Sequence, residues 1–475
     1  MIFKTDQPAT LGTSSNTTLD IETVGIASNP DKNHPVAIIG GGFAGLLAAQ
    51  LLRRHGVPFV LYERGDELGG LARSFRDENG FAHDLGAHFI TNRLASALGV
   101  SEQCSDVKQY GESVLLDDRT YSYPFGLMRN PKLLLGAAAS MARRCLKSQS
   151  TESAADWFEQ AYGKPMAQRV AIPLLEQWAG VDASELAASV ANKIPQSVIE
   201  TMWLTMGRTM TGRPIAVGYC REKPQSTRVW CVYPDEGIGA LISKLTSDLD
   251  DSIQLESHVE SITADSGQIV SVRVNGHEQP VSAVISTVPI HILADLVKGT
   301  DALAPLSKFR YRAMACVNLQ FSGEGLLPNA VLWTPEEQFP FLRLTELTQG
   351  VPWMAPPGKT QISADIGCEI GGDIWSMPDD RLGELCIESI DPIISNARNK
   401  YLGCKVARAP FAYPLFLREY EADRVALEQS TGVDGLHVIG RNGEFAHILM
   451  EDIYWRTLTK VRQVVAARNN TERYI

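Results

Sequence analysis

No run of about 18 consecutive apolar residues occurs in this chain of 475 residues, so a membrane-crossing helix is not expected. The nearest approach, Leu133 to Leu146, is short, rich in alanine and broken by Arg143 and Arg144, which suits a core or interfacial helix. Peripheral membrane contact stays open. Positive charge is also scarce: 44 Lys and Arg stand against 55 Asp and Glu, a formal net charge of -11. Nucleic acid is bound through clustered cations, so it is not an expected partner. The eight cysteines, Cys104, Cys145, Cys220, Cys231, Cys316, Cys368, Cys386 and Cys404, include no C-x-x-C pair and no partnering histidines. No metal site is expected from them, and buried free thiols in a reducing cytoplasm are the reading. Met1 to about His34 lacks the basic start and apolar middle of a signal peptide and reads as a flexible polar arm, residues 1–34. What remains is an ordinary globular composition, 44% hydrophobic and 21% charged, on a chain longer than one core usually serves. Two domains are expected.

The chain is organised around Val36 to Gly70, VAIIGGGFAGLLAAQLLRRHGVPFVLYERGDELGG. Val36-Ala37-Ile38-Ile39 is the short apolar run of a strand buried on both faces. Gly40, Gly42 and Gly45 follow at G-x-G-x-x-G spacing, with Phe43 and Ala44 between the last two, and Leu46 to Arg54 reads as a helix rich in Ala and Leu. Gly40 permits a tight turn, Gly42 lets backbone approach a pyrophosphate, and Gly45 lets helix pack on strand. The free N–H groups and dipole of the helix N-terminus then face phosphates. A second run, Phe59 to Tyr62, ends in Glu63, about 20 residues past the glycines, where a carboxylate can accept from a ribose diol. Strand, glycine loop, helix, strand and acid in this order predict a dinucleotide site in an α/β fold.

Glu63-Arg64, then Gly69-Gly70 and Leu71-Ala72-Arg73-Ser74, resemble the second glycine pair of the large FAD family that includes flavin-containing amine oxidases, protoporphyrinogen oxidase, carotenoid desaturases and UDP-galactopyranose mutase. The resemblance implies FAD as cofactor and an α/β, Rossmann-like FAD-binding domain of GR2 type, joined to a discontinuous α+β substrate-binding domain. Gly80 to Asn92 is similar to the family's D-x-G-x-H segment, which places Gly86, Ala87 and His88 beside the flavin ring. His88 stands either as a catalytic base or as a residue that orients the loop; no catalytic residue is assigned. The backbone at Val259 is implied at the adenine edge, and Ser286-Thr287-Val288-Pro289 resembles the family's S-T-x-P turn. Gly440-Arg441 is implied at the ribityl and pyrophosphate, and a helix over Ile448 to Ala466, with Met450 in an M-x-D element, at the flavin pyrimidine. Two pieces about 400 residues apart would thus hold one cofactor.

The resemblance also divides the chain. FAD-binding parts are expected at 35–100, 226–300 and 426–475, a helical substrate insertion at 101–225 and a substrate sheet at 301–425. Within the insertion, helices are expected over Asp156–Tyr162, Met166–Ala179 (kinked or divided at Pro173, which lacks a needed N–H) and Ser184–Asn192. Tyr121 to Phe125 is an aromatic cluster that fits either cavity lining or core. Glu176-Gln177-Trp178-Ala179-Gly180 lacks the lysine of the Lys-x-Trp-Gly element found in protoporphyrinogen-oxidase-type relatives. Alternation over Val317 to Phe321 predicts a strand with one buried face. Arg343 and Tyr413 are the candidate substrate-binding residues, each also readable as a structural ion pair or core hydroxyl.

The reaction implied is transfer of hydride from a small organic substrate, an amine or an activated C–H, to flavin N5, with reoxidation by dioxygen or another acceptor. Lys308 is the nearest candidate by order for the lysine that reaches N5 through water in many amine oxidases, and also reads as a plain surface lysine. The alternative is a non-redox enzyme like UDP-galactopyranose mutase, whose substrate diphosphate would need cations such as Arg310, Arg312 and Arg343. A third reading is a structural FAD with a partner-binding insertion.

Overall fold

The computed structural model describes residues 34–86, 88–123, 125–144, 151–193, 204, 206–208 and 211–470; Ala87, Pro124 and Cys145, named above, lie outside them. At its centre is a parallel five-stranded sheet in the order Ile253–Gln254, Phe59–Tyr62, Val36–Ile39, Ala283–Ser286, Leu436–Val438. The apolar run Val36–Ile39 is buried throughout because both its faces are covered. Val36 and Ile38 pack with the helices Phe43–Arg54, Gly239–Thr246 and Met450–Asn470, whereas Ala37 and Ile39 share a core with the strands Val259–Asp265 and Gln268–Val274 of a second, four-stranded sheet. Strands near the start, middle and end of the chain therefore lie side by side.

His437, in the last strand of the parallel sheet, has its pKa pushed down to about 4 by burial and then by the nearby Lys460 charge. The unfolded chain takes up this proton near the ordinary value of 6.5, the folded chain only near 4. The stabilising contribution of the neutral ring is complete above the unfolded value and is lost as pH falls through the folded one. Relative to the parent, His437→Gln is expected to lose about one proton's worth of pH dependence across that window, at most ~3 kcal/mol. Urea unfolding at a series of pH values reads it, and an unchanged slope refutes it.

A seven-stranded sheet lies over the nucleotide body in the order Tyr401–Pro414, Tyr311–Ser322, Lys359–Cys368, Arg343–Thr345, Val331–Trp333, Glu112–Leu116, Arg119–Ser122. It joins strands from either side of the second FAD segment, and is antiparallel except between Val331–Trp333 and Glu112–Leu116. On one face Val317, Leu319, Phe321, Ile362 and Leu344 form an apolar core under the helix Asp379–Ile390. The other face is polar, with Cys316, Asp365, Arg343 and Trp333 in one cross-strand row and Asn318, Ser363, Thr345, Val331 and Glu112 in the next.

The alternation expected over Val317–Phe321 is present, but the single buried face is a misreading: Asn318 is 2% exposed and Gln320 4%. Alternation sorts side chains between two faces and does not say what covers either. Here the polar face is turned inward, and Gln320 Nε2 donates to Asp77 Oδ2 (2.6 Å) in the loop that leads to His88.

The helical insertion shows one agreement and one correction. Pro173 distorts Met166–Ala179 without dividing it: helical backbone runs on through the stretch, and a π-helical turn, Ala167–Ala171, passes directly into the helix Ile172–Ala179, with the proline near its start. Ser184–Asn192, by contrast, is not a continuous helix. The Ala187 N–H donates to the Phe416 carbonyl (2.7 Å), and Leu186 and Ala187 form bridges to Leu417 and Ser153. Tertiary pairing overrides propensity there, leaving only a 3-10 stretch at Ala188–Lys193. Among the described residues no helix is long and apolar enough to cross a membrane.

Candidate functional site

The glycine loop is shaped by three contacts. Gly40 turns at φ +101°, and a Cβ on it would lie 2.1 Å from Thr287 Oγ1, in the S-T-x-P turn. A Cβ on Gly45 would lie 2.0 Å from the Gly40 carbonyl oxygen, so this close approach of helix to strand needs glycine. A Cβ on Gly42 meets nothing within 4 Å. Gly42 heads the helix Phe43–Arg54, whose first N–H groups have no side-chain cap, and this leaves open space before an uncapped helix N-terminus. Phe43 and Ala44 are buried in the first turn.

Glu63 stands at the end of the neighbouring strand, where Oε2 accepts from the Gly41 N–H (2.7 Å) and Oε1 from the Gly65 N–H (2.8 Å). Each oxygen keeps lone-pair capacity for a diol. Gly69 forms a bridge to Gly42, Gly70 lies against its Cα, and Gly70–Ala72 make a single 3-10 turn containing Leu71. Arg64 is exposed, and Arg73 pairs at the surface with Glu67 (3.0 Å). Val259 opens its strand two residues after Ser257, whose N–H donates to the Glu63 carbonyl (2.8 Å).

The D-x-G-x-H segment is fixed by a buried carboxylate. Asp84 accepts from the Ser74 and Tyr233 hydroxyls and from the Ile238 N–H (3.4 Å), while the Gly239 N–H donates to Ser74 Oγ (2.7 Å). Burial raises the Asp84 pKa against these hydrogen bonds. Gly86 turns at φ +93°. His88 Nε2 lies 2.7 Å from the Leu85 carbonyl oxygen, an acceptor only, so that nitrogen carries the proton. Burial keeps the ring below its ordinary pKa, partly countered by the Asp84 carboxylate.

The C-terminal return closes on the first unit. Gly440 turns at φ +79°, and a Cβ on it would lie 2.9 Å from the Ala44 Cβ. Arg441 donates to the carbonyls of Ile448 (3.2 Å) and Ala412 (3.4 Å) and sits over the Tyr413 ring. Burial lowers its pKa, and among the described residues no carboxylate pairs with it, which fits an anion supplied by a ligand. Met450 begins the helix. Next to it Glu451 accepts from Thr91 Oγ1 (2.6 Å) and Arg93, and Asp452 accepts from the Arg221 N–H (2.7 Å). Asp452 is the acid of the M-x-D element, but the structural partners of these two buried carboxylates have no signal in the sequence beyond acidity in a first helical turn.

Arg343 and Tyr413 lie close enough for the tyrosine to act on the guanidinium charge, and both are only half-buried, so they border a recess that solvent reaches. Arg343 donates through Nε (2.8 Å) and Nη2 to Asp365 Oδ2, and that carboxylate raises the guanidinium pKa against the effect of burial. Tyr413 packs against Trp178 (5.2 Å) and stacks on His447 (6.2 Å). Trp178, in the segment without the family lysine, therefore belongs to the recess wall. The other cations lie elsewhere: Arg310 is exposed, Arg312 pairs with Glu369, and Lys308 is a surface residue 2.9 Å from Asp423. Tyr121 packs with Val114 and Leu127 in a small core, and Tyr123 is exposed.

These residues fit FAD. The open space at Gly42 suits phosphate oxygens before a helix N-terminus, Glu63 suits a ribose, and the Gly440–Ala44 contact brings the two chain segments together beside that space. Among the described residues no group of three His, Cys, Asp or Glu side chains is placed to hold a metal ion.

Comparison with known proteins points the same way. The sequence signature described as "Flavin containing amine oxidoreductase" matches residues 43–452. Flavin-containing amine oxidase B of Rattus norvegicus is 24% identical over 54% of this chain and 50% of its own length. Mitochondrial protoporphyrinogen oxidase of Nicotiana tabacum is 29% identical over 32% of this chain and 34% of its own. The chain thus spans half or less of the length of these curated relatives. In fold it is similar to reduced UDP-galactopyranose mutase, with a TM-score of 0.74 at 20% identity, covering 91% of this chain and 94% of that one.

Proposed function

Since the chain belongs to the flavin containing amine oxidoreductase family and its cofactor is FAD, we propose that it oxidises a small organic substrate, an amine or a compound with an activated C–H, using dioxygen or another acceptor to complete the cycle. FAD, when bound, supplies a hydride acceptor at N5. The protein's part is to hold and orient. Gly40, Gly42 to Gly45, Glu63, Arg64, the Gly69–Arg73 turn, Gly86 to His88, Val259, Gly440, Arg441 and Met450 bind the cofactor, and Arg343 and Tyr413 position the substrate. His88 holds its own loop through Leu85, which leaves Nδ1 as its one acceptor nitrogen. Trp178 and Tyr413 exclude water from one side of the recess. The FAD-binding parts are 35–100, 226–300 and 426–475, the substrate-binding parts 101–225 and 301–425, and the enzyme works in the cytoplasm.

The observation that supports this reading most is the charge of the recess roof, where Arg343 is matched by Asp365. A substrate diphosphate away from a helix N-terminus would draw on unmatched cations, whereas Arg312 is paired with Glu369 and Arg310 is exposed. The mutase reading keeps one supporting residue, Arg343. Mixing the yellow holoprotein with a panel of amines without air is expected to bleach the flavin spectrum, and air to restore it with peroxide release or, with another acceptor, reduction of that acceptor. Turnover of a UDP-sugar only after prior reduction by dithionite would replace this reading with the mutase, and no turnover with intact flavin would favour the partner-binding role.

A further inference from the structure

Across Trp333 from Arg343 lies a carboxylate that the cofactor site does not use. Arg343 sits over the Trp333 ring at 5.3 Å, and the indole N–H of Trp333 donates to Glu112 Oε2 at 2.8 Å. The Tyr110 hydroxyl donates to Glu112 Oε1 at 2.5 Å. Both partners are neutral, so they orient the carboxylate without cancelling its charge. Among the described residues no lysine, arginine or histidine pairs with Glu112, and the nearby Arg343 is committed to Asp365 through two of its nitrogens. A carboxylate offers about four lone-pair sites, of which two are filled here.

The surroundings are aromatic. The Tyr110 ring meets Phe89 edge-on at 5.0 Å, and the Tyr219 hydroxyl hydrogen-bonds with that of Tyr110. Glu112, Tyr110, Tyr219 and Trp333 are all half-buried, so the group is deep and still reachable. A charge held out of water without a counter-charge is unfavourable, and ring faces attract cations. A positively charged ligand group answers both conditions.

Deepening the oxidoreductase reading, on which it rests, we propose that Glu112 is a specificity-determining residue that binds a cationic nitrogen of the substrate, walled by Tyr110, Tyr219 and Trp333. A nitrogen held as ammonium has no lone pair to support loss of hydride from the carbon beside it. The nitrogen at Glu112 is therefore not the one at the reacting carbon. The substrate class is a diamine, or an amine or activated C–H compound that carries a separate cationic group.

Calorimetric titration of the FAD-loaded protein with 1,5-diaminopentane and with 5-aminopentan-1-ol, which replaces one ammonium by a neutral hydroxyl, tests this directly. The diamine is expected to bind at least about tenfold more tightly, the scale of one hydrogen bond to a charged group. Glu112→Gln, which keeps the shape and can still meet Tyr110 and Trp333, is expected to erase that preference, and Glu112→Asp to keep part of it. Equal binding of the two compounds by the parent protein overturns the proposal without need of any variant, as does a preference that survives in Glu112→Gln. Peroxide release or acceptor reduction, measured separately, reports on the reading beneath. A diamine preference without oxidation keeps the Glu112 site and removes the oxidoreductase; amine oxidation without the preference does the reverse.

Discussion

Replacing Gly42 with alanine is expected to give a folded, colourless protein, and replacing Gly45 with alanine a folded protein of clearly lower melting temperature. The two residues belong to one motif, yet the space around them differs. Gly42 has φ -77° and ψ 179°, a conformation that alanine adopts freely, and its new Cβ would meet no protein atom within 4 Å. The methyl would instead fill the opening before the helix N-terminus, where the pyrophosphate belongs. At Gly45 the same methyl would sit 2.0 Å from a backbone oxygen, which cannot rotate away as a side chain can. Overpacking of this kind destabilises by about 1–3 kcal/mol, with the upper end expected where backbone opposes backbone. Visible flavin absorbance per mole of protein and thermal melting of the apoprotein separate the cases. A Gly42→Ala protein that stays yellow would mean that the phosphates lie elsewhere.

The second large effect is expected at the roof of the recess. Arg343→Met leaves Asp365, whose side chain is 6% exposed, as a buried carboxylate without its cation. Breaking such a pair from one side destabilises by about 3–5 kcal/mol, whereas removing both charges is often nearly neutral. Arg343→Met combined with Asp365→Asn is therefore expected to recover most of the denaturant stability lost by the single variant while turnover stays low. A double variant as unstable as the single one would show that the ion pair is not what holds the roof. An Arg343→Met enzyme with parental turnover would remove Arg343 from the substrate site.

What was legible in the sequence was what short-range pattern encodes. Val36 to Glu63 announces a strand, a turn and a helix because apolar period, glycine spacing and the terminal acid all lie within one unit, and the strand at Leu436–Val438 repeats the signal before Gly440. What was not legible depends on partners far along the chain. The acidity of Glu451 and Asp452 is visible, but Thr91 and Arg221, which make these carboxylates structural, are hundreds of residues away. Ser184–Asn192 reads as helix until Phe416 and Leu417 claim its backbone. Lys308, Arg310 and Arg312 are candidates through nearness in sequence, but Lys308 pairs with Asp423, Arg312 with Glu369, and Arg310 is exposed, and none of these partnerships shows in the local sequence. Glu112 had no signal of its own, since its meaning comes from Tyr110 beside it and Trp333 on a strand more than 200 residues later.

The strand Tyr311–Ser322 carries two vocabularies on one backbone, one residue of each in turn. Val317, Leu319 and Phe321 answer to the helix behind them, and Cys316, Asn318 and Gln320 to whatever lies below. Polar positions of this strand without a structural bond can therefore be varied while its apolar positions stay fixed, whereas Gln320 is tied to Asp77. A new specificity grafted here would inherit an old skeleton intact.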